Sequence, residues 1–208
     1  MSKLNKAIFL DRDGVINDLI FYSEEGVLDS PNLVKQFKIS KGTIKALNQL
    51  KKLGYLLILI SNQPGVAKGK YTIAEFHKIK KKMEDTLSRG GPNFDAQYYC
   101  MHHPNAVKKE FKKNCQCRKP KTKMIRDGIE KFYIDLKKSF VIGDGIVDME
   151  MAKKANCRGI FIGNINSSIT KLFHEKKVEP FFVAHDLLDA TKFLYKIENT
   201  PSLFSHSY

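Results

Sequence analysis

Two aspartates, Asp11 and Asp13, stand one residue apart in IFLDRDGVIN (residues 8–17), where an apolar run ends and Gly14 follows. Turn chemistry accounts for one such carboxylate but does not need both. A carboxylate can attack phosphorus and form an aspartyl-phosphate, which splits phosphoester hydrolysis into two easier steps. An anionic nucleophile approaching an anionic phosphate needs a hard cation. Mg²⁺ suits, because it prefers oxygen ligands and accepts only one or two protein carboxylates. Asp11 fits a nucleophile that also ligates, and Asp144 in GDGIVD (143–148) fits a second ligand. Asp13 can protonate the leaving oxygen and later take a proton from the attacking water; it is also counted with Asp11 and Asp144 among the magnesium ligands. The phosphoryl oxygens need donors, and a hydroxyl (Ser61), an ammonium (Lys119) and loop amides around Gly14 would supply them.

A second cluster lies in CMHHPNAVKKEFKKNCQCRKP (100–120), with Cys100, His102, Cys115 and Cys117 spaced as Cys-x-His, a spacer, then Cys-x-Cys. Three thiolates and one imidazole match a closed tetrahedral Zn²⁺ site with no position left for water, so the zinc is expected to be structural. It would tie down a loop (100–117) that apolar burial alone cannot pack. His103 is the rival for the histidine position. Clustered thiols in a chain without an export signal argue against disulfides, and Cys157, alone in KANCRG, reads as a small core or loop residue.

Something must hold these residues together. Strands are expected over 7–10, 55–60, 96–99, 139–142, 159–162 and 181–183, several apolar on both faces as parallel strands under helices are. Residues 43–53 place Ile44, Leu47 and Leu50 near one helical face. Thr72 with Glu75 forms a capping-box pattern ahead of Phe76, Ile79, Met83 and Leu87. Strands alternating with helices predict an α/β fold with covering layers on both faces of a mainly parallel sheet. Ligands of such sheets bind beyond the carboxyl ends of the strands, which is where the Asp11, Ser61, Cys/His and Asp144 segments fall.

The composition is that of an ordinary globular protein: 208 residues, 42% hydrophobic and 28% charged. No apolar run is long enough to span a bilayer, no cleavable leader is read, and a cytoplasmic protein is expected. Lys and Arg total 36 against 22 Asp and Glu. That balance favours anionic partners, but the lysines are scattered and no aromatic residues interleave with one basic stripe. A small phosphorylated metabolite is expected as the partner, with no specific nucleic acid, no membrane, and a monomeric state. Residues 1–196 are expected to form one domain and 197–208 a loose C-terminal tail.

These segments, in this order, resemble the haloacid-dehalogenase-like phosphatases. DRDGVIN matches that superfamily's first motif, Ser61 the second, Lys119 the third and GDGIVD the fourth. The Cys-x-His…Cys-x-Cys-Arg-Lys-Pro loop narrows the resemblance to the branch of heptose-bisphosphate 7-phosphatases and histidinol-phosphate phosphatases. The likeness implies a Rossmann-like three-layer sandwich with a zinc-stabilised loop and no large cap domain. It also implies that Arg118 helps recognise substrate, that Lys119 steadies the phosphoryl group, and that Asn62, Gln63 and Tyr22 line the pocket; Arg12 is counted with the substrate-binding residues. The activity implied is Mg²⁺-dependent phosphomonoester hydrolysis, with a sugar bisphosphate favoured. The alternatives are histidinol phosphate, for which Glu24, Glu25 and Asp29 could form an acidic wall, then a nucleic-acid end phosphatase, then a zinc-stabilised binding module. Binding alone does not need Asp13, which sets the last apart.

Overall fold

The apolar runs are strands because both of their faces are covered. Along residues 6–10, Ile8 and Leu10 enter one core while Ala7 and Phe9 enter another. The computed structural model describes residues 4–200. In chain order the elements are β1 (Lys6–Leu10), β2 (Ile20–Tyr22), β3 (Val27–Asp29), α1 (Thr43–Lys52), β4 (Tyr55–Asn62), α2 (Ile73–Ser88), β5 (Ala96–Cys100), α3 (Lys123–Phe132), β6 (Phe140–Gly143), α4 (Ile146–Lys154), β7 (Arg158–Ile162), α5 (Ser167–Lys176), β8 (Phe182–Ala184) and α6 (Leu187–Asn199). Six of the strands form one sheet in the order β5-β4-β1-β6-β7-β8, and every pairing within it is parallel.

One face of the sheet packs against Leu47 and Leu50 of α1, Ile79 and Met83 of α2, and Leu187 and Leu194 of α6. The other packs against Met124 and Ile125 of α3 and Met151 and Ala152 of α4. This is the expected three-layer α/β sandwich, and all six expected strands are present with shifts of one or two residues at their ends. The chain leaves β1 toward β4 and β5, then crosses back to build β6, β7 and β8 on the other side. The order of strands therefore reverses at β1, which opens a crevice at its carboxyl end.

Three local outcomes differ from the sequence reading. Residues 20–29 form an antiparallel hairpin, β2 with β3, whose cross-strand pair Phe21 and Leu28 is 62% and 64% exposed. Strands of three residues with apolar side chains facing outward carry no alternation that periodicity could detect. Thr72 caps α2 by accepting from the Glu75 amide at 3.1 Å, but the Glu75 carboxylate accepts from the Val34 amide at 2.6 Å instead of returning to the cap. Finally, residues 197–199 are the last turn of α6 and not part of a loose tail. Glu198 accepts from the Tyr55 hydroxyl at 2.5 Å and pairs with Lys6 at 2.7 Å; residues 201–208 lie outside the described residues.

Candidate active site

Asp11 is the first residue beyond β1, and its amide donates to the Ile142 carbonyl of β6 at 2.9 Å, so the carboxylate starts at the crevice. Gly14 turns the chain at φ +77°, and a Cβ there would meet Asp144 Oδ2 at 2.0 Å. Glycine is therefore required twice, for the left-handed backbone and for the approach of Asp144, which follows β6. Asp148 sits one turn further on, near the start of α4, fully buried. Oxygens of Asp11, Asp144 and Asp148 lie within 4.8 Å of one another, a group that could hold a metal ion.

Lys119 is the counter-charge. It is 3% exposed, and its ammonium reaches Asp11 Oδ2 at 2.8 Å, Asp148 Oδ1 at 2.7 Å and the Ile60 carbonyl at 3.3 Å. Burial works against its charge, but Asp11 and Asp148 together outweigh that and hold it protonated. One ammonium does not neutralise three carboxylates. Burial pushes Asp11 up to about 6, with Asp148 and Asp13 adding to the rise and Lys119 opposing it. Asp144, farther from the lysine's direct contacts, is pushed up to about 8 by burial and by the Asp11 and Asp148 charges. A group of carboxylates that resists full ionisation is one that a divalent cation would stabilise, so the donor set fits a hard cation.

Asn62 closes the far side of the site. Its Oδ1 accepts from the Lys119 amide at 2.9 Å and its Nδ2 donates to the Lys119 carbonyl at 3.3 Å. The end of β4 thus clamps the backbone that presents Lys119, with both ends of the partly buried Asn62 amide engaged there. Ser61 is 1% exposed and accepts from Gln63 Nε2 at 2.9 Å.

The Asp13 carboxylate is not among the oxygens that converge with Asp11, Asp144 and Asp148. Its Oδ1 accepts from Arg12 Nε at 3.1 Å, Arg12 Nη2 at 3.0 Å and Asn17 Nδ2 at 3.0 Å; its Oδ2 accepts from Arg12 Nη2 at 3.1 Å and Gln63 Nε2 at 2.6 Å. The side chain of Asp13 is therefore not placed as a magnesium ligand. Arg12 is corrected too: it is fully buried, so its guanidinium serves Asp13 and cannot meet substrate. Gln63, 1% exposed, likewise lies beneath the site and not along its wall. The Tyr22 hydroxyl donates to the Ser30 carbonyl at 3.0 Å and accepts from the Asn32 amide at 3.0 Å, which braces the loop after the hairpin.

The second cluster assembles as read from its spacing. Cys100 Sγ lies 3.4 Å from Cys115 Sγ and 3.2 Å from Cys117 Sγ, the last two are 3.3 Å apart, and His102 Nδ1 is 3.5 Å from Cys117 Sγ and 3.9 Å from Cys100 Sγ. His102 is thus the histidine of the set. His103 Nδ1 instead accepts from the Asn105 amide at 3.0 Å. Crowding makes the thiols share protons unequally: burial and its thiol neighbours push Cys100 up, while hydrogen bonds from Cys117 and Cys100 overcome burial and bring Cys115 down to about 6. Four soft and borderline donors converging on one point could hold a metal ion. Arg118 follows directly, its Nη1 approaching the His102 carbonyl at 3.5 Å, so the loop fixes the reach of its guanidinium. Cys157, in the core beneath α3 and α4, donates to the Ser139 carbonyl at 3.3 Å.

The HAD-hydrolase-like family model matches residues 116–190. The D-glycero-beta-D-manno-heptose-1,7-bisphosphate 7-phosphatase of Pasteurella multocida is 35% identical over 191 residues, which cover 92% of this chain and 97% of that enzyme. The chain belongs to the haloacid-dehalogenase-like phosphatases. A relative of the same name from Photorhabdus laumondii is 40% identical over 149 residues, 72% of this chain and 75% of that enzyme. Among solved structures, the D,D-heptose 1,7-bisphosphate phosphatase of B. bronchiseptica, complexed with magnesium and phosphate, superposes with a TM-score of 0.74 at 28% identity over 92% of this chain and 98% of that one. A HAD-like phosphatase from Mesorhizobium loti shares the fold, with a TM-score of 0.75 at 23% identity over 95% and 88%.

Two residues of this haloacid-dehalogenase-like phosphatase carry site contacts that the sequence reading left without a role. Asp148 was legible in principle, because it lies four residues after Asp144 at the start of a helix and so returns to the same side. Tyr71, whose hydroxyl donates to Gln63 Oε1 at 2.8 Å, gave no signal, since a tyrosine ahead of a helix cap looks like core.

Proposed function

We propose that the chain hydrolyses the 7-phosphate of D-glycero-D-manno-heptose 1,7-bisphosphate through a phosphoaspartate on Asp11. The observation that carries this reading is Asp11 held at 2.8 Å from a buried Lys119, in a fold shared over nearly its whole length with relatives bearing that activity in their names. An Asp11 oxygen attacks phosphorus while the ester C–O oxygen departs, and Lys119 balances the charge gathering on the phosphoryl oxygens. Ser61 and the amides around Gly14 supply further donors. Asp13, as an acid, gives its proton to the leaving oxygen. As a base it then takes one from the water that cleaves the phosphoaspartate and frees inorganic phosphate. Asp11, Asp144 and Asp148 would hold Mg²⁺, which when bound screens the repulsion between nucleophile and phosphate. Cys100, His102, Cys115 and Cys117 would hold Zn²⁺ in a closed structural site. The chain through the end of α6 at Asn199 would act as one phosphatase domain.

Arg118, at the end of the zinc loop, is the residue proposed for the second phosphate, since a guanidinium can grip a phosphate by two parallel hydrogen bonds. An acidic wall suited to histidinol phosphate is weakened by Asp29, whose carboxylate is held by Lys70 at 2.6 Å and by the Ser30 amide at 2.7 Å. Phosphate release from heptose bisphosphate, histidinol phosphate, other sugar phosphates and a 3′-phosphorylated oligonucleotide tests the assignment. The heptose bisphosphate should show the highest kcat/KM, and a higher value for histidinol phosphate would reverse it.

A further inference from the structure

We propose that Gln63 is a positioning residue that joins the proton-handling Asp13 to the phosphoryl-binding Ser61, and that Tyr71 keeps its amide the right way round. The inference rests on the roles given above to Asp13 and Ser61. Gln63 and Tyr71 are 1% and 6% exposed, and the hydrogen-bonding groups of both are spent on protein atoms. The two hydrogens on Gln63 Nε2 are both spoken for, one by Asp13 Oδ2 at 2.6 Å and one by Ser61 Oγ at 2.9 Å. A carboxylate only accepts. A flipped amide would set Oε1 against Asp13 Oδ2, and the Tyr71 hydroxyl, donating to Oε1 at 2.8 Å, locks the orientation that avoids this. Burial pushes the Tyr71 phenol up, which keeps it a donor.

Two consequences follow for the reaction. Ser61 Oγ already accepts from Gln63, so its own hydrogen is left to point away, toward the place where phosphoryl oxygens need a donor. Asp13 receives five donor contacts on two oxygens, at least as many as its lone pairs serve. To carry a proton it must release one. Oδ1 takes three of these contacts and Oδ2 two, from Arg12 Nη2 and Gln63 Nε2; on Oδ2 the Arg12 contact comes from a buried guanidinium, whereas the contact from Gln63 is single and neutral, and is the one that yields. Phosphoryl binding at Ser61 and proton transfer at Asp13 thereby run through one amide. The chain makes room for it: a Cβ on Gly65 would fall 2.0 Å from Tyr71 Cε1, so only glycine lets the ring lie over this loop.

The test exploits the leaving group. An alkoxide must be protonated as it departs and nitrophenolate need not be, so kcat/KM for glycerol 3-phosphate reports the Asp13 proton while that for p-nitrophenyl phosphate does not. With the full chain and magnesium, Tyr71→Phe should lower kcat/KM on glycerol 3-phosphate by roughly 3–10-fold and on p-nitrophenyl phosphate by less than about 2-fold; Gln63→Leu should widen the gap, staying short of the roughly 10²–10⁴-fold attributable to Asp13→Asn. In the metal-free chain, the Gln63 side-chain amide should be protected from hydrogen exchange and lose that protection in Tyr71→Phe. Equal losses on both esters, or no loss in Tyr71→Phe, would overturn the relay while leaving Asp13 in place. An Asp13→Asn variant blind to leaving group would remove the acid role and the relay with it. Tyr71→Phe retains the buried ring, so it decides the matter even if Gln63→Leu fails to fold.

Discussion

Asp11 and Asp13 are chemically identical side chains given opposite surroundings. Asp11 meets one ammonium and two carboxylates; Asp13 meets a guanidinium fork and two amides. In the proposed mechanism, environment, not residue type, divides attack from proton transfer. Asp11→Asn keeps the shape but cannot form the acyl phosphate, and turnover should fall at least about 10³-fold, given that general acid–base catalysis alone supplies roughly 10²–10⁴-fold. Circular dichroism should be unchanged, and wild-type rates with Mg²⁺ would refute the nucleophile. Arg118 is not bonded to either aspartate, so its loss should register elsewhere. Arg118→Ala should raise KM for a sugar bisphosphate much more than for p-nitrophenyl phosphate, because only the former has a remote anion to lose.

At the scale of elements, the 101–122 connection between β5 and α3 is held differently from the rest of the chain. Its helical content is one short turn, Lys109–Phe111, with no buried residue, and Cys100 and Cys115 are buried against one another instead of against a broad apolar surface. A loop with so little core depends on its ligands. Cys115→Ser should lower bound zinc below one per chain by elemental analysis. It should also lower the melting temperature by about 5 °C or more, since 1 kcal/mol corresponds to roughly 2–4 °C at this size. Because Arg118 and Lys119 follow the loop directly, activity should fall with zinc content. A variant with normal stability and no zinc would exclude the structural role.

For the whole molecule, the crowded carboxylates make stability depend on pH in a direction that can be worked out. In the folded, metal-free chain burial and neighbouring carboxylates push Asp11 up to about 6 and Asp144 up to about 8, above the roughly 3.9 of a free aspartate. The folded state therefore binds more protons than the unfolded one between those values, and metal-free stability should fall as pH rises from about 4 through about 8. A divalent cation competes with those protons, so its stabilising effect should grow over the same window. Scanning calorimetry from pH 5 to 8 with and without excess Mg²⁺ should show the gap widening, toward about 5–10 °C at a hundredfold excess over the dissociation constant. A Mg²⁺ shift that shrinks with pH would contradict the acidic site. Elsewhere the basic excess is spread over helix surfaces in pairs such as Lys80–Glu84 and Lys81–Asp85, and no helix among the described residues is long and apolar enough to cross a membrane.

The strands, their parallel arrangement and the convergence of Asp11, Ser61, Lys119 and Asp144 were legible in the sequence, because a strand buried on both faces leaves a continuous apolar run and its carboxyl end is where polar residues resume. The Cys/His set was legible because metal coordination fixes both residue type and spacing. What Arg12, Asn62 and Gln63 do was decided only by tertiary structure. Each is polar and next to a motif, which from sequence alone reads as contact with substrate. Folding buries Arg12 under Asp13, spends both ends of the Asn62 amide on the Lys119 backbone, and turns Gln63 toward Tyr71. The Asn62–Lys119 and Gln63–Asp13 bonds span 57 and 50 residues and leave no local pattern, and burial of the adjacent Arg12–Asp13 pair is likewise set by how the sheet stacks its loops.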